Sequence, residues 1–318
     1  MANVKNHVYT EVAGQNQLTA EHAEFYSRTL LERLIPELML TKYGEKSIDT
    51  SIPKRNGATI SWRRFNSIAV GNTALVEGVT PDSIDATVTK INATVQQYGA
   101  YLQTTDFLDT VALDPCITEF SEVLGEHGGL AIETIVRDIV TSGSNVLYAD
   151  GSTDSTTAMA KRITPLDLLK IRRTFKRNHV KPISLPNGKK GYILFLHTDV
   201  ATDLMQTQEW RDLNTFVDTK NYVEGIAGQM YGIYIAEYDL TENESGLYKN
   251  FAIGKGAFGV VDINGSAKPQ IIVKNTGSSG TSDPLNQRAT IGWKALMTAV
   301  RLQELAIIRY ETGSSLTE

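Results

Sequence analysis

Several classes of protein depend on residues or runs that this sequence lacks. It contains one cysteine, Cys116, which excludes an internal disulfide and a cysteine-based metal cluster. No run approaches about 18 consecutive apolar residues, and no apolar run follows a basic start, so neither a membrane-spanning helix nor a signal peptide is predicted. The 318 residues are 41% hydrophobic and 21% charged, which is the balance of an ordinary globular protein.

Histidine is also scarce, and the five histidines form no catalytic or metal-binding pattern. No two of them stand at the i, i+4 spacing of a helical zinc site. His197 follows a predicted strand, but no Gly-x-Ser-x-Gly motif accompanies it to supply a nucleophile. We therefore expect no catalytic residue, no bound metal and no cofactor. A metabolic enzyme stays open as an alternative, which a discrete monomer with turnover would support.

One segment has the spacing of a protein-kinase glycine-rich loop. It is GKGAFGVV at residues 254–261, and Lys274 ends the strand that follows. Only 44 residues come after Lys274, too few for the lobe that carries a kinase's catalytic base and metal ligands. No helix is predicted after the glycines, as a dinucleotide site would require. The sequence therefore predicts a tight turn or a bulge between two strands.

Charge is distributed unevenly along the chain. The net charge of −5 disfavours a general nucleic-acid-binding domain. Residues 101–150 hold nine acidic residues and one basic residue, whereas residues 151–190 hold ten basic and two acidic ones. Such polarity suits subunits that meet through surfaces of opposite sign, although two solvated faces would look the same.

A basic helix is predicted within the second block, with Thr164 as its cap and Asp167 completing a capping box. Five of its side chains are candidate phosphate contacts without sequence readout: Lys170, Arg172, Arg173, Lys176 and Arg177. Because apolar residues interleave with them, part of the helix must be buried. A solvated or inter-subunit face is the favoured alternative.

The periodicity of the first hundred residues predicts an arm followed by a β ribbon. Residues 1–19 are expected to form an extended arm, and residues 20–43 a helix that Pro36 kinks or splits. Strand-like segments at 59–65 and 86–95 flank a turn-rich stretch. Since an isolated two-stranded ribbon is marginally stable, this ribbon needs a surface, and a neighbouring subunit is the obvious candidate.

The rest of the chain alternates helices and strands. A strand is predicted at 96–110 and a long helix from about Thr118 to Val140, with a domain boundary in the Gly/Ser/Thr-rich stretch 141–160. Strands and a short helix are expected from Gly191 onward as an α/β or α+β domain. The last segment, 287–311, is ambiguous between helix and strand, and we favour strands that return to the first domain.

Taken in order, short segments over nearly the whole chain resemble the major capsid proteins of tailed phages, the family typified by the capsid protein of phage N4. The segments are LLERLIP at 30–36, GATISWRRF at 57–65, LVEGVTP at 75–81, QYG at 97–99, TD at 105–106, VRD at 136–138, GSNVLYA at 143–149 and GWK at 292–294. No single motif is specific, and the resemblance rests on their order.

The resemblance implies an α+β fold of the Hong Kong 97 type, with four parts. They are an N-terminal arm with a helix at 1–49, an extended β-hairpin loop at 50–100, a peripheral domain with a long spine helix at 101–160 and 285–318, and an axial domain at 161–284. In this family the arm and the loop embrace neighbouring subunits.

The implied function is structural: self-assembly through the axial domain as hexamers and pentamers into an icosahedral shell around phage double-stranded DNA, in a virion assembled in the host cytoplasm. The expected partners are further copies of the chain, a separate scaffolding protein, a portal, decoration proteins and non-specifically held DNA, but no membrane. The predicted subunit contacts are Trp62, Arg63, Arg64 and Glu77, with Arg63 or Arg64 meeting the acidic 101–150 block of a neighbour. An encapsulin-type bacterial compartment shell is the alternative.

Overall fold

A computed structural model of the chain describes residues 38–46, 59–66, 68, 74, 77, 78, 80, 83–107, 116–185, 188–214, 226–261, 269–277 and 283–316. Nearly all of the predicted arm and its helix at 20–43 lie outside the described residues. The chain forms two compact units. The smaller holds the described residues of Gln96–Glu133 and Ile263–Met297, and the larger holds those of Met39–Val95, Thr134–Asp262 and Thr298–Glu318.

The described part of the chain combines helices with strands. The strands are β1 (Glu45–Lys46), β2 (Thr59–Phe65), β3 (Val88–Thr94), β4 (Gln96–Thr105), β5 (Val146–Tyr148), β6 (Ile183–Ser184), β7 (Lys190–Leu196), β8 (Gly228–Met230), β9 (Ile233–Glu237), β10 (Glu242–Glu244), β11 (Leu247–Ile253), β12 (Phe258–Val260), β13 (Gln270–Lys274), β14 (Arg288–Met297), β15 (Ala299–Arg301) and β16 (Ile307–Thr312). The helices are α1 (Cys116–Thr141), α2 (Ser155–Met159), α3 (Pro165–Arg177), α4 (Thr198–Met205) and α5 (Gln208–Asn214). Single 3₁₀ turns lie at Leu40–Lys42, Ala149–Gly151 and Glu304–Ala306.

A mixed sheet forms the core of the larger unit, in the order β5-β16-β11-β7-β9-β8, with β10 beside β11 and β6 beside β7. The central strand β7 is buried on both faces, which explains its unbroken apolar run GYILFL. On one face Phe195 stacks on Phe251 with ring centroids 5.0 Å apart. On the other face Tyr192 stacks on Phe175 of α3 at 4.6 Å, so both faces are covered.

Helix α3 begins as its sequence predicts. Thr164 is the N-cap, Pro165 follows it, and the backbone N–H and hydroxyl of Thr164 donate to the Asp167 carboxylate at 3.1 and 2.8 Å. The same buried carboxylate accepts a hydrogen bond from Tyr310 on β16 at 3.1 Å. The capping group therefore also fastens the helix to the sheet.

Replacing Thr164 by alanine is expected to lower the free energy of unfolding by about 1 kcal/mol, the usual effect of losing a capping hydroxyl. Thr164→Ser keeps the oxygen and serves as the control. Urea unfolding followed by circular dichroism measures both variants. Equal stability of the alanine variant and the wild type would show that the Thr164 hydroxyl contributes nothing.

The smaller unit pairs a three-stranded sheet, in the order β13-β14-β4, with α1. Buried and partly exposed residues alternate along β14, so one face of the sheet is covered. From that face the Trp293 Nε1–H donates to His127 Nδ1 on α1 at 3.2 Å. The helix, predicted from Thr118 to Val140, spans Cys116–Thr141 and continues through Gly128 and Gly129.

Two strands pair across the limits that the resemblance implies for the domains. β13 lies in the range of the axial domain and pairs with β14, in the range of the peripheral domain. β16 lies in the range of the peripheral domain and pairs both with β5 of that range and with β11 of the axial range. The prediction that the last segment forms strands is confirmed. The apolar pattern of such a strand predicts that it joins a sheet. It does not predict which strand lies beside it, because the backbone donors and acceptors at a strand edge are the same for every neighbour.

Candidate assembly interface

The predicted ribbon is present as the antiparallel pair β2–β3. Its register runs from Thr59 opposite Thr94 to Phe65 opposite Val88. Beyond the last pair, the Asn66 amide nitrogen donates to the Thr87 hydroxyl at 3.0 Å and the backbone pairing continues for one more step. Most of the predicted broad tip lies outside the described residues.

One face of the ribbon is fastened to its own chain. Trp62 is only 5% exposed, and its Nε1–H donates to the Glu45 carbonyl at 3.4 Å. Its ring lies on Gly259 of β12, where an added Cβ would come within 2.6 Å of the indole. On the same face, Arg64 Nη1 donates to the Leu302 carbonyl at 3.0 Å. These contacts hold the base of the ribbon against the larger unit.

The opposite face carries exposed cationic and apolar side chains. Arg63 stands directly opposite Lys90, and both side chains are exposed. Like charges in facing positions of an antiparallel pair destabilise it. The next pair, Phe65 and Val88, is 76% and 48% exposed. We define these four residues as the outer ribbon face. It combines a local excess of positive charge with apolar surface left in water.

The structure separates the four predicted contact residues. Arg63 lies on the outer ribbon face and Glu77 is exposed in a turn, whereas Trp62 is buried and Arg64 contacts its own chain. Lys90, Phe65 and Val88, which the sequence analysis does not select, are exposed on the same face as Arg63. The two-residue alternation of strands, applied from Arg63, selects Phe65, but Lys90 and Val88 follow only from the register.

The acidic block forms a stripe along one side of α1. Glu119, Val123, Glu126 and Leu130 succeed one another at spacings of four, three and four, and all four side chains are exposed. We call them the α1 stripe. Two further acidic residues of the block lie outside the stripe: Glu133 is buried, and Asp138 pairs with Arg137 at 2.6 Å. The stripe alternates carboxylates with apolar side chains.

The basic helix presents most of its cations to solvent. Four of the five predicted phosphate contacts are exposed: Arg172, Arg173, Lys176 and Arg177. Lys170 differs, because its Nζ pairs with the buried Asp167 carboxylate at 2.9 Å. The buried side of the helix carries Leu168, Ile171 and Phe175, as the interleaved pattern predicts.

The residues that the sequence analysis tested as possible enzyme motifs lie in a turn, at a helix cap and at a strand end. The glycine-rich segment is the turn between β11 and β12, as predicted, and Lys274 ends β13 in a different sheet. His197 caps α4 by accepting from the Asp199 N–H at 3.2 Å. Tyr248 donates to Asp199, and burial raises the pKa of Tyr248 to about 12. No three histidine, cysteine or acidic residues gather as metal ligands in the described part of the chain.

Comparison with solved structures shows a phage capsid fold. The capsid of Ralstonia phage GP4 is similar over 86% of this chain and 87% of that one, with 10% identity and a TM-score of 0.68. The cyanophage Pam1 capsid is similar over 100% and 99%, with 14% identity and a TM-score of 0.64. The SrpI encapsulin of Synechococcus elongatus PCC 7942 is similar over 74% and 79%, with 9% identity and a lower TM-score of 0.52.

Sequence comparison identifies the family. No curated protein matches the sequence. Among the described residues, no helix is long and apolar enough to span a membrane. The model of the phage capsid protein family matches residues 87–310, from the ribbon strand β3 to the sheet strand β16. The match covers well over half of the chain and both compact units, and it agrees with the capsid fold. The chain therefore belongs to the phage capsid protein family and is a major capsid shell protein of a bacteriophage.

Proposed function

We propose that this shell protein assembles as hexamers and pentamers into an icosahedral capsid around double-stranded DNA, with the Hong Kong 97-like architecture of the phage N4-type family. A β ribbon with one open face and a long helix with an exposed stripe support this architecture. The parts are the arm at 1–49, the extended loop at 50–100, the peripheral domain at 101–160 and 285–318, and the axial domain at 161–284.

The outer ribbon face carries the proposal. In a chain that stood alone, Arg63 would face Lys90, and Phe65 would face Val88, with all four side chains exposed to water. A neighbouring subunit that supplies carboxylates and apolar surface would remove both costs. The exposed cationic pair and the exposed apolar pair therefore destabilise the isolated subunit and favour its assembly with a neighbour.

The α1 stripe of a neighbouring copy has the matching chemistry. It offers Glu119 and Glu126 to the cationic pair, and Val123 and Leu130 to the apolar pair. This refines the predicted contact: Arg63 remains a partner of the acidic block, Lys90 joins it, and Arg64 and Trp62 support the ribbon from behind.

The exposed cations of α3 are proposed as weak contacts to packaged DNA. Arg172, Arg173, Lys176 and Arg177 form one basic surface, and they require only phosphate groups from the nucleic acid. Lys170 contributes less, because Asp167 already neutralises it. Such binding would be independent of sequence and would weaken with salt.

The remaining roles follow from a shell function. We propose assembly in the host cytoplasm with a separate scaffolding protein, a portal and decoration proteins, and no enzymatic activity. The encapsulin alternative has weaker support, because the encapsulin likeness covers less of the chain at a lower TM-score and the matched family is that of phage capsids.

Electron microscopy of the expressed full-length chain tests the proposal, with and without its scaffolding protein. We expect closed shells with icosahedral outlines built from five- and six-membered rings. Phage particles purified from infected cells should contain this chain together with DNA. A copurified cargo enzyme in place of DNA would establish the compartment alternative. A chain that stays monomeric under both conditions would contradict a shell function.

A further inference from the structure

The large sheet carries opposite charge at its two ends. β7 begins at Lys190 and ends at Leu196, where the parallel strand β9 places Glu237 beside it. Seven residues of extended strand span about 20 Å. Side chains at one end of the sheet therefore cannot reach those at the other end within one molecule.

Lysines gather at the end where β7 begins. The β6–β7 pair places Lys190 opposite Ser184, next to Lys189. The Lys255 N–H donates to the Lys181 carbonyl at 2.9 Å, which brings the turn after β11 to the same end. All four lysine side chains are exposed. We call Lys181, Lys189, Lys190 and Lys255 the basic end.

One carboxylate reaches the basic end but does not cancel it. A Glu45 oxygen lies 3.3 Å from the position that a Cβ on Gly256 would occupy, next to Lys255. Even if Lys189 is left out, three exposed lysines outnumber this carboxylate among the described residues, so the basic end keeps a net positive charge.

Carboxylates gather at the opposite end of the sheet. Glu237 closes β9, Asp239 follows it, and the β10–β11 hairpin adds Glu242 and Glu244. Lys249 lies between the last two, with its Nζ 3.4 Å from Glu242 and 2.9 Å from Glu244. One ammonium among four carboxylates leaves an excess of negative charge. We call Glu237, Asp239, Glu242 and Glu244 the acidic end.

A second cation lies near the acidic end without neutralising it. Arg137 Nη1 donates to the Leu240 carbonyl at 2.7 Å, but its guanidinium is already paired with Asp138 at 2.6 Å. The positive charge of Arg137 is therefore offset by Asp138 on the same helix and does not neutralise the acidic end.

We propose that the acidic end of one copy docks on the basic end of the next, as a head-to-tail contact within a ring of subunits. A closed ring joins two different patches of the same chain at every interface. The two ends satisfy this requirement, because they are opposite in charge and lie on one sheet. Exposed ion pairs are individually weak, so this contact sets orientation and register more than strength. The inference rests on the proposed shell function and names a contact through which its rings form.

Nucleic acid is the other occupant that the basic end would accept. It would leave the exposed carboxylates at the opposite end without a role, whereas a second copy uses both ends at once. The observations therefore favour a second copy, and binding of DNA becomes an outcome of the experiment.

Charge reversal at each end, alone and together, tests the contact in the full chain. Lys181→Glu with Lys190→Glu makes both ends negative, and Glu237→Lys with Glu244→Lys makes both ends positive. Each pair is expected to raise the subunit concentration needed for shells by at least about tenfold, because like charges then meet at every interface. The fourfold variant restores opposite signs and should return that concentration to within roughly threefold of the wild type.

The controls separate this contact from general charge effects. Arg162→Glu with Lys274→Glu changes net charge as the basic-end variant does, at exposed residues that belong to neither end, and should assemble as the wild type does. Circular dichroism and light scattering report folding and assembly of every variant. Normal assembly of both reversed pairs, or a folded fourfold variant that stays unassembled, would overturn the inference.

Two further outcomes also decide the matter. If the basic-end variant forms normal shells that retain less DNA, the basic end belongs to nucleic acid and the inference is wrong. If the wild-type chain forms no shells even with its scaffolding protein, the shell function fails and this contact fails with it. Wild-type shells accompanied by unaffected variants would reject the contact alone.

Discussion

Shells are expected to disappear when Arg63 and Lys90 are both replaced by glutamate, while the subunit stays folded. Both side chains are exposed on the outer ribbon face, so their removal disturbs no interior contact. Against the carboxylates of a neighbouring α1 stripe, the reversed pair changes attraction into repulsion, which costs several kcal/mol at each contact. Sedimentation of the expressed protein should show subunits or small oligomers at concentrations where the wild type forms shells.

Reversal of the partner surface provides the complementary experiment. Glu119→Lys with Glu126→Lys should abolish shells as well, and the variant that carries all four changes should recover them. Arg162→Glu with Lys274→Glu is the matched control for the Arg63–Lys90 variant, since it changes net charge equally at exposed sites outside the ribbon. Shells of normal yield from the Arg63–Lys90 double variant would remove the outer ribbon face from the assembly contact.

The single change Arg63→Glu separates stability from assembly. It places a carboxylate opposite Lys90 and turns a repulsive cross-strand pair into an attractive one. The isolated subunit should gain about 0.2–1 kcal/mol in its free energy of unfolding, yet assemble less well. A variant that lost both stability and assembly would mean that Arg63 supports its own chain.

Trp62→Ala is expected to destabilise the subunit by about 3–5 kcal/mol, the usual result of removing a buried aromatic side chain. The indole is 5% exposed, lies on Gly259 and donates to the Glu45 carbonyl. Its loss leaves a cavity under the base of the ribbon. Chemical unfolding of the subunit measures the change, with far-ultraviolet circular dichroism as a signal that does not depend on the removed tryptophan.

Phe65→Ala is the matched control on the same strand. Phe65 is 76% exposed, so its truncation should change subunit stability by no more than about 0.5 kcal/mol while it weakens assembly. Trp62→Ala should therefore show its defect in the unfolding experiment, and Phe65→Ala should show its defect in assembly. If Trp62→Ala kept full stability and lost only assembly, Trp62 would be the subunit contact that the sequence predicted.

The contrast between Trp62 and Arg63 shows where sequence reasoning succeeds and where it stops. The strand itself was predictable from its β-branched and aromatic residues, as α1 was from its helical spacing and α3 from its capping box. Adjacent residues on a strand point to opposite faces, so Trp62, Arg63 and Arg64 were never able to share one surface.

Which face is buried could not be predicted from the strand alone. The burial of Trp62 depends on Gly259, which is almost two hundred residues away and has no side chain to mark it as a partner. Lys90 became a candidate only through its register with Arg63. Long-range pairing of this kind leaves a weak local signal, because the pattern of a strand is the same for every partner of suitable polarity.

The fastening of the ribbon base has a consequence for the rate at which shells grow. Ordering a residue's backbone costs about 1–2 kcal/mol of conformational entropy. For the seven paired residues of each ribbon strand, that loss occurs when the subunit folds, since Trp62 and Arg64 hold the base before any neighbour arrives. An incoming subunit therefore meets a surface already shaped for it, and less of the binding free energy is consumed in ordering that surface. Growth of a shell from its first ring would then be limited by collision and orientation rather than by rearrangement of this ribbon.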